Sequence, residues 1–553
     1  MAGSGSVKSI KISIPINHGS AETFLRLEHE GDDVLVSPLL GTDWLCENCW
    51  LWRRAATYNP DELCPDAKDS TDLITAFENK ISSAGRPTVL AQRSVAAKLI
   101  RKQVRIARGL ETSENLIMLF RVNKEGYVRT ESVLPMPNCE SCWNSDNSRP
   151  QSGLEHAIGR SGGLIAELQE VAARKGELEY PYVVITRLSN NNLSPSRPSW
   201  KGASGKGETL EAAIGSAIGE SIERYAAETI PGSLIKAREN ELENAIVPLS
   251  LTGMKVSQAM EAGFSPYEEI AWVMASSVEE EGRTKWVPAS AVYLTSKEKL
   301  GGHIATPCTS NGLATGFNLK DAIDRAYTEV IERHMFFLVW YGVAKAELVD
   351  AELYLDKSIS RLFGSAELNL RTAVLGCDNE VYYASATCWP KLSSADRPEF
   401  TLGLGSGPTI QKAVASAVLE LAQVYRGLSW ALQNPSLRKR MEHLKEMPFA
   451  IKDSYDHALL YASRPAVQVP SPFGLAPPPK NTVLLRSNQG DDEAFFVDIT
   501  PRDVLEACGC RTVRLLAPGR IPLHIGSSML PKAILDLKTE TAQQLSALLH
   551  PLS

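Results

Sequence analysis

The chain has 553 residues, of which 43% are hydrophobic and 22% are charged, and this is enough apolar material for two or three domains. Its formal net charge of −7 argues against a general nucleic-acid partner. The amino terminus lacks the apolar segment of a signal peptide, and no run of about 18 apolar residues occurs. The composition therefore predicts a cytoplasmic enzyme with no membrane partner.

Two Cys-x-x-Cys pairs lie in the first third of the chain, each followed directly by a tryptophan. They are Cys46 with Cys49 and Cys139 with Cys142. Four thiolates can complete a tetrahedral Zn²⁺ site with no open position, and such a site is structural. Disulfides or a redox role are the alternatives. The long separation between the pairs is unlike a zinc finger and suits a metal that staples a small domain.

A polar stretch that contains Pro150 follows the second cysteine pair and covers residues 144–153. It predicts a domain junction, which divides the chain into residues 1–150 and 151–553. In the second domain, residues 182–186 and 371–375 have the pattern of strands. Residues 189–207 are rich in Asn, Ser, Pro and Gly, and we expect them to form a loop over the functional site. The second domain is predicted to be an α+β body.

Three segments of this body repeat one pattern, in which a glycine precedes apolar positions spaced by three and four and then two polar positions. The spacing predicts a turn and a helix in each copy. The copies are Gly207, Leu210, Ala213, Ile214, Ala217, Glu220 and Glu223; Gly316, Leu319, Ala322, Ile323, Ala326, Glu329 and Glu332; and Gly407, Ile410, Ala413, Val414, Ala417, Glu420 and Gln423.

A solvated helix face is the simplest explanation of one such copy. Three copies in register, at irregular separations, indicate instead that three helices of one domain converge on a shared site. Two carboxylates about 4 Å apart repel by roughly 4 kcal/mol at an effective dielectric near 20, so a cation must lie between them. Oxygen ligands favour Mg²⁺, which commonly arrives with substrate phosphates.

Basic residues near the three helices are suited to the phosphate oxygens. They are Lys206, Arg224, Arg333 and Arg426. The sequence contains no Gly-x-x-x-x-Gly-Lys-Ser/Thr motif, so the predicted nucleotide site is built without a P-loop. No residue is assigned as a catalytic acid, base or nucleophile.

The sequence around these positions resembles a known family. Lys206-Gly207 with Ser216-Ala-Ile-Gly-Glu220-Ser-Ile-Glu223-Arg224, Ser310-Asn-Gly-Leu-Ala-Thr-Gly316 with Glu329-Val-Ile-Glu332-Arg333, and Glu420-Leu-Ala-Gln423-Val-Tyr-Arg426 are similar to the three ATP-binding motifs of the YcaO family. Val513-Arg-Leu-Leu-Ala-Pro-Gly519 and Pro522-Leu-His-Ile-Gly526 resemble the carboxyl-terminal part of members that make azoles in peptides. The resemblance covers roughly residues 155–553.

The resemblance implies an ATP-dependent cyclodehydratase. Such enzymes phosphorylate a backbone amide oxygen and turn Cys, Ser or Thr of a ribosomal precursor peptide into thiazoline or oxazoline, as in bacteriocin-like natural products. It implies that Glu220, Glu223, Glu329 and Glu332 hold Mg²⁺ and phosphates. It also implies that Ser216, Arg224, Arg333, Glu420, Gln423 and Arg426 surround the ATP. Family habit suggests a homodimer.

Three positions depart from the family pattern. Arg325 stands where many members have a small or acidic residue, and His334 stands where aspartate is usual. The sequence ends in His550-Pro-Leu-Ser553, whereas azoline-forming members have a Pro-x-Pro-x-Pro tail. Reduced independent activity is therefore expected. The alternatives are a non-catalytic scaffold or regulatory subunit and an enzyme that forms thioamides.

The first cysteine pair also lies in a segment with a resemblance. Leu35-Val-Ser-Pro-Leu-Leu-Gly41 before the pair and Arg53-Arg54 after it look like the zinc-binding part of the E1-like (Ocin-ThiF) proteins that accompany YcaO enzymes. In those proteins a preceding winged-helix region grips the leader of the precursor peptide. Because few residues precede Cys46, we expect a separate leader-binding partner protein.

Overall fold

The structure is a computed structural model. It describes residues 10–14, 23–30, 32–42, 44–83, 90–108, 117–143, 153–173, 178–194, 202–230, 234–265, 267–475, 486–487, 493–526 and 549–552. Among these residues, none of the helices combines the length and the apolar character needed to cross a membrane. Most of the predicted domain junction lies outside the described residues, so the boundary at residue 150 stays a prediction.

The amino-terminal part is an antiparallel sheet with helices packed against it. Its strands are β1 (Ile10–Ile14), β2 (Thr23–Glu30), β3 (Asp33–Val36), β4 (Met118–Val122) and β5 (Val128–Ser132), and its helices are α1 (Glu47–Ala56), α2 (Pro60–Leu63), α3 (Ser70–Ser83), α4 (Leu90–Ala107) and α5 (Glu140–Trp143). Each strand pairs with the next in chain order. Trp50 of α1 and Phe77 of α3 are fully buried in its core with Leu35 and Leu119 of the sheet.

The body contains three further sheets and the longest helices. Its strands are β6 (Ile165–Glu170), β7 (Tyr182–Leu188), β8 (Ser204–Gly207), β9 (Ile235–Ala237), β10 (Ile270–Ser277), β11 (Thr284–Pro288), β12 (Leu313–Gly316), β13 (Glu347–Val349), β14 (Leu368–Asp378), β15 (Val381–Pro390), β16 (Thr401–Gly407), β17 (Arg486–Ser487), β18 (Phe495–Asp498) and β19 (Arg511–Leu516). Its helices are α6 (Leu210–Glu228), α7 (Val256–Glu261), α8 (Ala289–Val292), α9 (Leu319–Trp340), α10 (Ala351–Tyr354), α11 (Lys357–Ser365), α12 (Ile410–Ala431), α13 (Pro435–Glu446), α14 (Ser454–Ala462) and α15 (Arg502–Cys508).

Each of the three sheets carries one strand that leads into one of the long repeat helices. The strand orders are β6-β7-β8, then β11-β10-β18-β19-β12 with β9 beside β10, then β13-β14-β15-β16 with β17 beside β14. Helix α6 follows β8, α9 follows β12, and α12 follows β16. The repeated sequence pattern is therefore a repeated strand–turn–helix unit, and the predicted α+β architecture is confirmed.

Side chains at the turns explain where these helices begin. Thr209, Asn318 and Thr409 have extended backbones, and each side chain accepts a hydrogen bond from a backbone N–H three residues further on. Such N-caps satisfy groups that the first helical turn leaves without a partner. The three predicted helices are confirmed, and each begins at the first aliphatic residue of its copy.

Glycines in the strands let the repeat helices approach their sheets closely. A Cβ atom at Gly205 of β8 would lie 2.1 Å from the backbone nitrogen of Ala217 on α6, and a Cβ at Gly405 of β16 would lie 2.1 Å from that of Ala417 on α12. No side chain fits at such distances. The backbone of each helix therefore packs directly on the backbone of its strand, which fixes the helix position.

The two strands predicted at residues 182–186 and 371–375 are confirmed, the first as the beginning of β7 and the second as the central part of β14. The loop predicted at 189–207 is wrong at its end. Ser204–Gly207 form β8, which pairs with β7 along its length. The polar and glycine-rich composition of this stretch concealed a strand because its glycines serve the close contact with α6 rather than a turn.

Candidate nucleotide and metal sites

The three repeat helices surround a cleft of about 950 Å³. Nearly all of the predicted nucleotide-site residues line it: Lys206, Ser216, Glu220, Glu223, Arg224, Glu329, Arg333, Glu420 and Gln423. Because α6, α9 and α12 each present one copy of the repeat to this cleft, the expectation of three converging helices is confirmed. A solvated face does not describe them.

Direct contacts join residues that lie far apart in the sequence. Lys206 Nζ is 2.9 Å from Glu420 Oε2, and Gln423 Nε2 donates to Ser204 Oγ at 2.7 Å. These two contacts tie α12 to β8. The walls of the cleft are therefore held together by direct side-chain contacts, and the cleft is not a gap between loosely packed elements.

The carboxyl groups in and directly behind the cleft have unusual proton affinities. Burial, with repulsion from Glu220, raises the pKa of Glu223 to about 8, and burial also raises the pKa of Glu332 to about 7 and that of Glu329. Burial opposes ionisation of Glu420 as well, but Lys206 and then Arg333 outweigh it, so its pKa is lowered. The α6 and α9 carboxylates thus lack enough positive charge around them, and a hard divalent cation fits this need.

The comparison with protein families agrees with this geometry. A family model described as YcaO cyclodehydratase, ATP- and Mg²⁺-binding, matches residues 204–520, which is more than half of the chain. The chain belongs to the YcaO family. The matched segment begins at β8 and includes all three repeat helices, so the family model covers the part of this chain that builds the cleft.

Two solved structures share the YcaO fold of this chain. One is a heterocyclase in complex with substrate and cofactor, with a TM-score of 0.61 and 18% sequence identity, and the match covers 96% of this chain and 76% of that one. The other is the heterocyclase TruD, with a TM-score of 0.54, 17% identity, and coverage of 96% and 74%. At these identities the likeness shows the fold alone. A search of curated protein sequences gives no match.

Two arginines of the YcaO cleft, Arg224 and Arg333, are held by the carboxylates beside them. Arg224 Nη2 is 3.0 Å from Glu220 Oε1. Arg333 Nη1 is 2.6 Å from Glu332 Oε1, and its Nη2 is 4.0 Å from Glu329 Oε1. Glu223 is held differently, because its Oε1 accepts the backbone N–H of Thr315 at 2.8 Å. The cleft thus contains both carboxylates suited to a hard cation and arginines suited to phosphate oxygens.

Two of the predicted residues do not line the cleft. Glu332 is buried behind it, where Arg333 binds it. Arg426 is also buried, and its guanidinium donates to the carbonyl oxygens of Val171 at 3.0 Å and Leu178 at 2.6 Å. A role for Arg426 at the nucleotide stays a prediction, whereas its observed contacts connect α12 to the end of β6.

The two departures from the YcaO pattern on α9 have different surroundings. Arg325 lines the cleft and forms an ion pair with Asp321, with its Nε 2.8 Å from Oδ1. His334 is buried, and its Nδ1 accepts the backbone N–H of Ile521 at 3.0 Å. Burial lowers the pKa of His334 to about 4. His334 is therefore a neutral structural link, and Arg325 enters the cleft as part of an ion pair with Asp321.

Sequence reasoning missed one buried cation near the cleft. Arg514 lies in the middle of the buried strand β19 and donates to the carbonyl oxygen of Thr309 at 2.7 Å. Burial raises the pKa of Glu329, and the charge of Arg514 opposes this rise, after the larger effects of Arg333 and Arg224. An arginine flanked by Val513 and Leu515 is unusual in a buried strand, and this was the available signal.

The four predicted zinc ligands come together at the start of α1 and at α5. The sulfur atoms of Cys46, Cys49, Cys139 and Cys142 all lie within 4.8 Å of one another. Cys46 Sγ is 3.7 Å from Cys139 Sγ, and Cys142 Sγ is 3.8 Å from Cys49 Sγ. Four Zn–S bonds of 2.3 Å place tetrahedral sulfurs about 3.8 Å apart. These spacings fit zinc and are far too long for disulfides.

Backbone N–H groups also point at these sulfurs. The N–H of Cys46 donates to Cys142 Sγ at 3.1 Å, that of Cys49 donates to Cys46 Sγ at 3.4 Å, and that of Met136 donates to Cys49 Sγ at 3.2 Å. Such donors stabilise thiolates. The site is closed by four protein ligands, which is the pattern of structural zinc.

Proposed function

We propose that this protein is an ATP-dependent peptide cyclodehydratase that converts Cys, Ser or Thr residues of a ribosomally made precursor peptide into thiazolines or oxazolines. The observation that carries the proposal is the convergence of carboxylates and arginines from α6, α9 and α12 on one cleft. Membership in a family described as ATP- and Mg²⁺-binding supports it.

The reaction needs ATP because an amide oxygen is a poor leaving group. The side-chain thiol or hydroxyl loses its proton and adds to the preceding backbone carbonyl, forming a C–S or C–O bond and leaving the former carbonyl oxygen as an alkoxide. That oxygen takes the γ-phosphoryl group, and ADP is the product. The amide nitrogen then expels phosphate, its N–H proton is lost, and a C=N bond closes the azoline.

The chain's own groups have separate parts in this chemistry. Glu220, Glu223, Glu329 and Glu332 are assigned to Mg²⁺ and to the order of the phosphate chain, and Arg224, Arg333 and Lys206 to its negative charge. Ser216, Glu420, Gln423 and Arg426 complete the surroundings of the nucleotide. When bound, Mg²⁺ supplies polarisation of the phosphoryl group. Positioned positive charge is most effective in a partly buried cleft such as this one.

The other parts of the proposal concern zinc and partners. Cys46, Cys49, Cys139 and Cys142 hold Zn²⁺ as the staple of an amino-terminal domain, residues 1–150, beside the YcaO domain, residues 151–553. The precursor peptide is the substrate, a separate E1-like protein binds its leader, and the enzyme is a homodimer. The spacing of the four sulfurs supports the zinc assignment.

Calorimetric titration with Mg-ATP tests the nucleotide site. We expect the wild-type protein to bind and Glu329→Gln to weaken binding by at least about tenfold, since a neutral amide is a poor ligand for Mg²⁺. Glu352→Gln is the matched control because Glu352 is exposed on α10, outside the cleft. Circular dichroism verifies that each variant is folded.

Unchanged binding by folded Glu329→Gln would remove the metal assignment from α9. If the wild type fails to bind Mg-ATP, the proposed enzyme is wrong, and a non-catalytic YcaO scaffold is the better description. For a binding-competent protein, mass spectrometry of the precursor distinguishes the products, because each azoline formed removes one water from the peptide, whereas a thioamide replaces oxygen with sulfur.

A further inference from the structure

A buried polar contact joins helix α1, which carries Cys49 of the cysteine cluster, to the body of the protein. Arg53 Nη2 lies 2.5 Å from Asp503 Oδ2 and 3.2 Å from the hydroxyl of Tyr225. The Tyr225 hydroxyl in turn donates to Asp503 Oδ2 at 2.7 Å. The three residues belong to α1, α15 and α6. The Arg53 side chain is 1% exposed and that of Asp503 is 0% exposed.

The Arg53 end of this bridge is fixed by the amino-terminal part. Arg53 follows Cys49 by one helical turn on the same face of α1. Its guanidinium also donates to the carbonyl oxygens of Leu134 and Pro135, each at 3.0 Å. The next residue, Met136, donates its N–H to Cys49 Sγ. Helix α1 and residues 134–136 thus contact both the cysteine cluster and the Arg53 guanidinium.

The Tyr225 end of the bridge is fixed by α6, the first of the three helices that line the cleft. Tyr225 follows Arg224 directly and lies two residues after Glu223, about 3 Å further along the axis of α6. Its side chain is buried on the face that packs toward α1, whereas Glu220, Glu223 and Arg224 line the cleft. A displacement or rotation of α6 at Tyr225 therefore moves these three cleft residues.

Resting on the proposed function, we propose that Arg53, Tyr225 and Asp503 are positioning residues that couple the zinc-stapled part to the nucleotide cleft by fixing α6. The Arg53–Asp503 pair joins α1 to α15, and the hydrogen bonds of the Tyr225 hydroxyl link α6 to this pair. A fully buried network of this kind has one favourable arrangement, because each displaced donor or acceptor loses its partner away from water.

Arg54 supplies a matched control within the same helix. It is as buried as Arg53, but its guanidinium pairs with Glu28 and Glu30 of β2, at 3.2 and 3.0 Å. It also donates to the carbonyl oxygen of Ser161 at 2.8 Å. Replacing Arg54 perturbs a buried ion pair without touching the bridge to α6.

The test measures Mg-ATP affinity and zinc content in wild type, Tyr225→Phe, Arg53→Lys and Arg54→Lys. Tyr225→Phe keeps the ring and removes only the hydroxyl, so we expect full zinc content and a Kd for Mg-ATP about fivefold higher. Arg53→Lys is expected to weaken binding at least as much. Arg54→Lys is expected to lower the unfolding midpoint and leave the Kd unchanged.

The coupling itself is tested by removing zinc with a zinc-selective chelator in excess magnesium. We expect zinc removal to raise the Kd of the wild type by about fivefold or more, and to raise that of Tyr225→Phe by less, because the hydroxyl link is already absent. The bridge would be overturned by equal Kd values for wild type and folded Tyr225→Phe. It would also be overturned if zinc removal raised the Kd of wild type and of Tyr225→Phe by the same factor. In either case, Mg-ATP binding by the wild type would leave the proposed function intact. Absence of wild-type binding would overturn both.

Discussion

His457, His524 and His550 form a buried cluster in which the ring nitrogens interact with backbone and hydroxyl groups. His457 Nδ1 is 2.7 Å from the carbonyl oxygen of His550, and its Nε2 accepts the N–H of Gly526 at 3.0 Å. His550 Nε2 is 2.8 Å from the carbonyl oxygen of His524, whose Nε2 is 2.8 Å from the Tyr341 hydroxyl. The cluster attaches residues 549–552 to α9 and α14 through neutral rings.

The cluster predicts acid sensitivity. Burial lowers the pKa of His457 to about 4 and that of His524 to about 3. Because the folded protein keeps these rings neutral, their contribution to the free energy of unfolding is complete above about pH 6.5. It is lost as the pH falls toward 4, since the unfolded chain then binds protons that the folded protein does not. For His457 alone the loss is about 2 kcal/mol at about pH 5 relative to about pH 7.5. Urea unfolding at the two pH values measures it.

His457→Gln provides the control for this prediction because glutamine does not titrate. Its free energy of unfolding should be lower than that of the wild type at neutral pH and should fall less on acidification. If the variant and the wild type lose the same stability between the two pH values, His457 is not a source of the acid sensitivity.

At the scale of elements, each strand–turn–helix unit depends on direct packing of the strand backbone against the helix backbone, with no side chain between them. Sequence reasoning predicted the helices from their apolar spacing, since that spacing is local. It did not predict that β8 and β16 lie against the middle of α6 and α12, because glycine in a strand weakens local propensity and its benefit depends on a helix that follows later in the chain.

Gly405→Ala tests this contact. The added Cβ would lie 2.1 Å from Ala417 N, so strand and helix must separate, and we expect a loss of about 3 kcal/mol in the free energy of unfolding. Gly364→Ala on α11 is the matched control, because a Cβ there meets nothing within 4 Å and should stabilise the helix by about 0.5–1 kcal/mol. Equal stabilities in urea unfolding would contradict a tight packing requirement at Gly405.

At the scale of the whole molecule, zinc is expected to stabilise the amino-terminal part. Cys49→Ala removes one of four ligands and should abolish stoichiometric zinc binding, because the remaining three sulfurs leave the coordination open. We expect the unfolding midpoint to fall by on the order of 10 °C. Calorimetry with metal analysis measures both changes. Cys64→Ala, outside the cluster, should alter neither, and a zinc-free Cys49→Ala with the wild-type midpoint would argue against a structural metal.

The limits of sequence reasoning follow from the distance between interacting residues. The cysteine pairs and the repeated helices carry their evidence within a few residues, and the structure brings their predicted members together. The contact of Arg53 with Asp503 spans 450 positions, and neither residue belongs to a periodic pattern. Arg426 illustrates the opposite case, since it lies on the predicted helix but its side chain contacts two distant carbonyl groups that local spacing does not reveal.

The convergence of three separate strand–helix units on one cleft also determines what a bound nucleotide does for the protein. Glu220, Glu329 and Glu420 come together only after all three units have docked, so no partly folded fragment contains the binding site. Ligand that binds only the native state at 100 times its Kd adds about 2.7 kcal/mol to the free energy of unfolding. On the proposed function, bound Mg-ATP would oppose the undocking of any one unit, and saturating Mg-ATP is expected to slow proteolysis of the body.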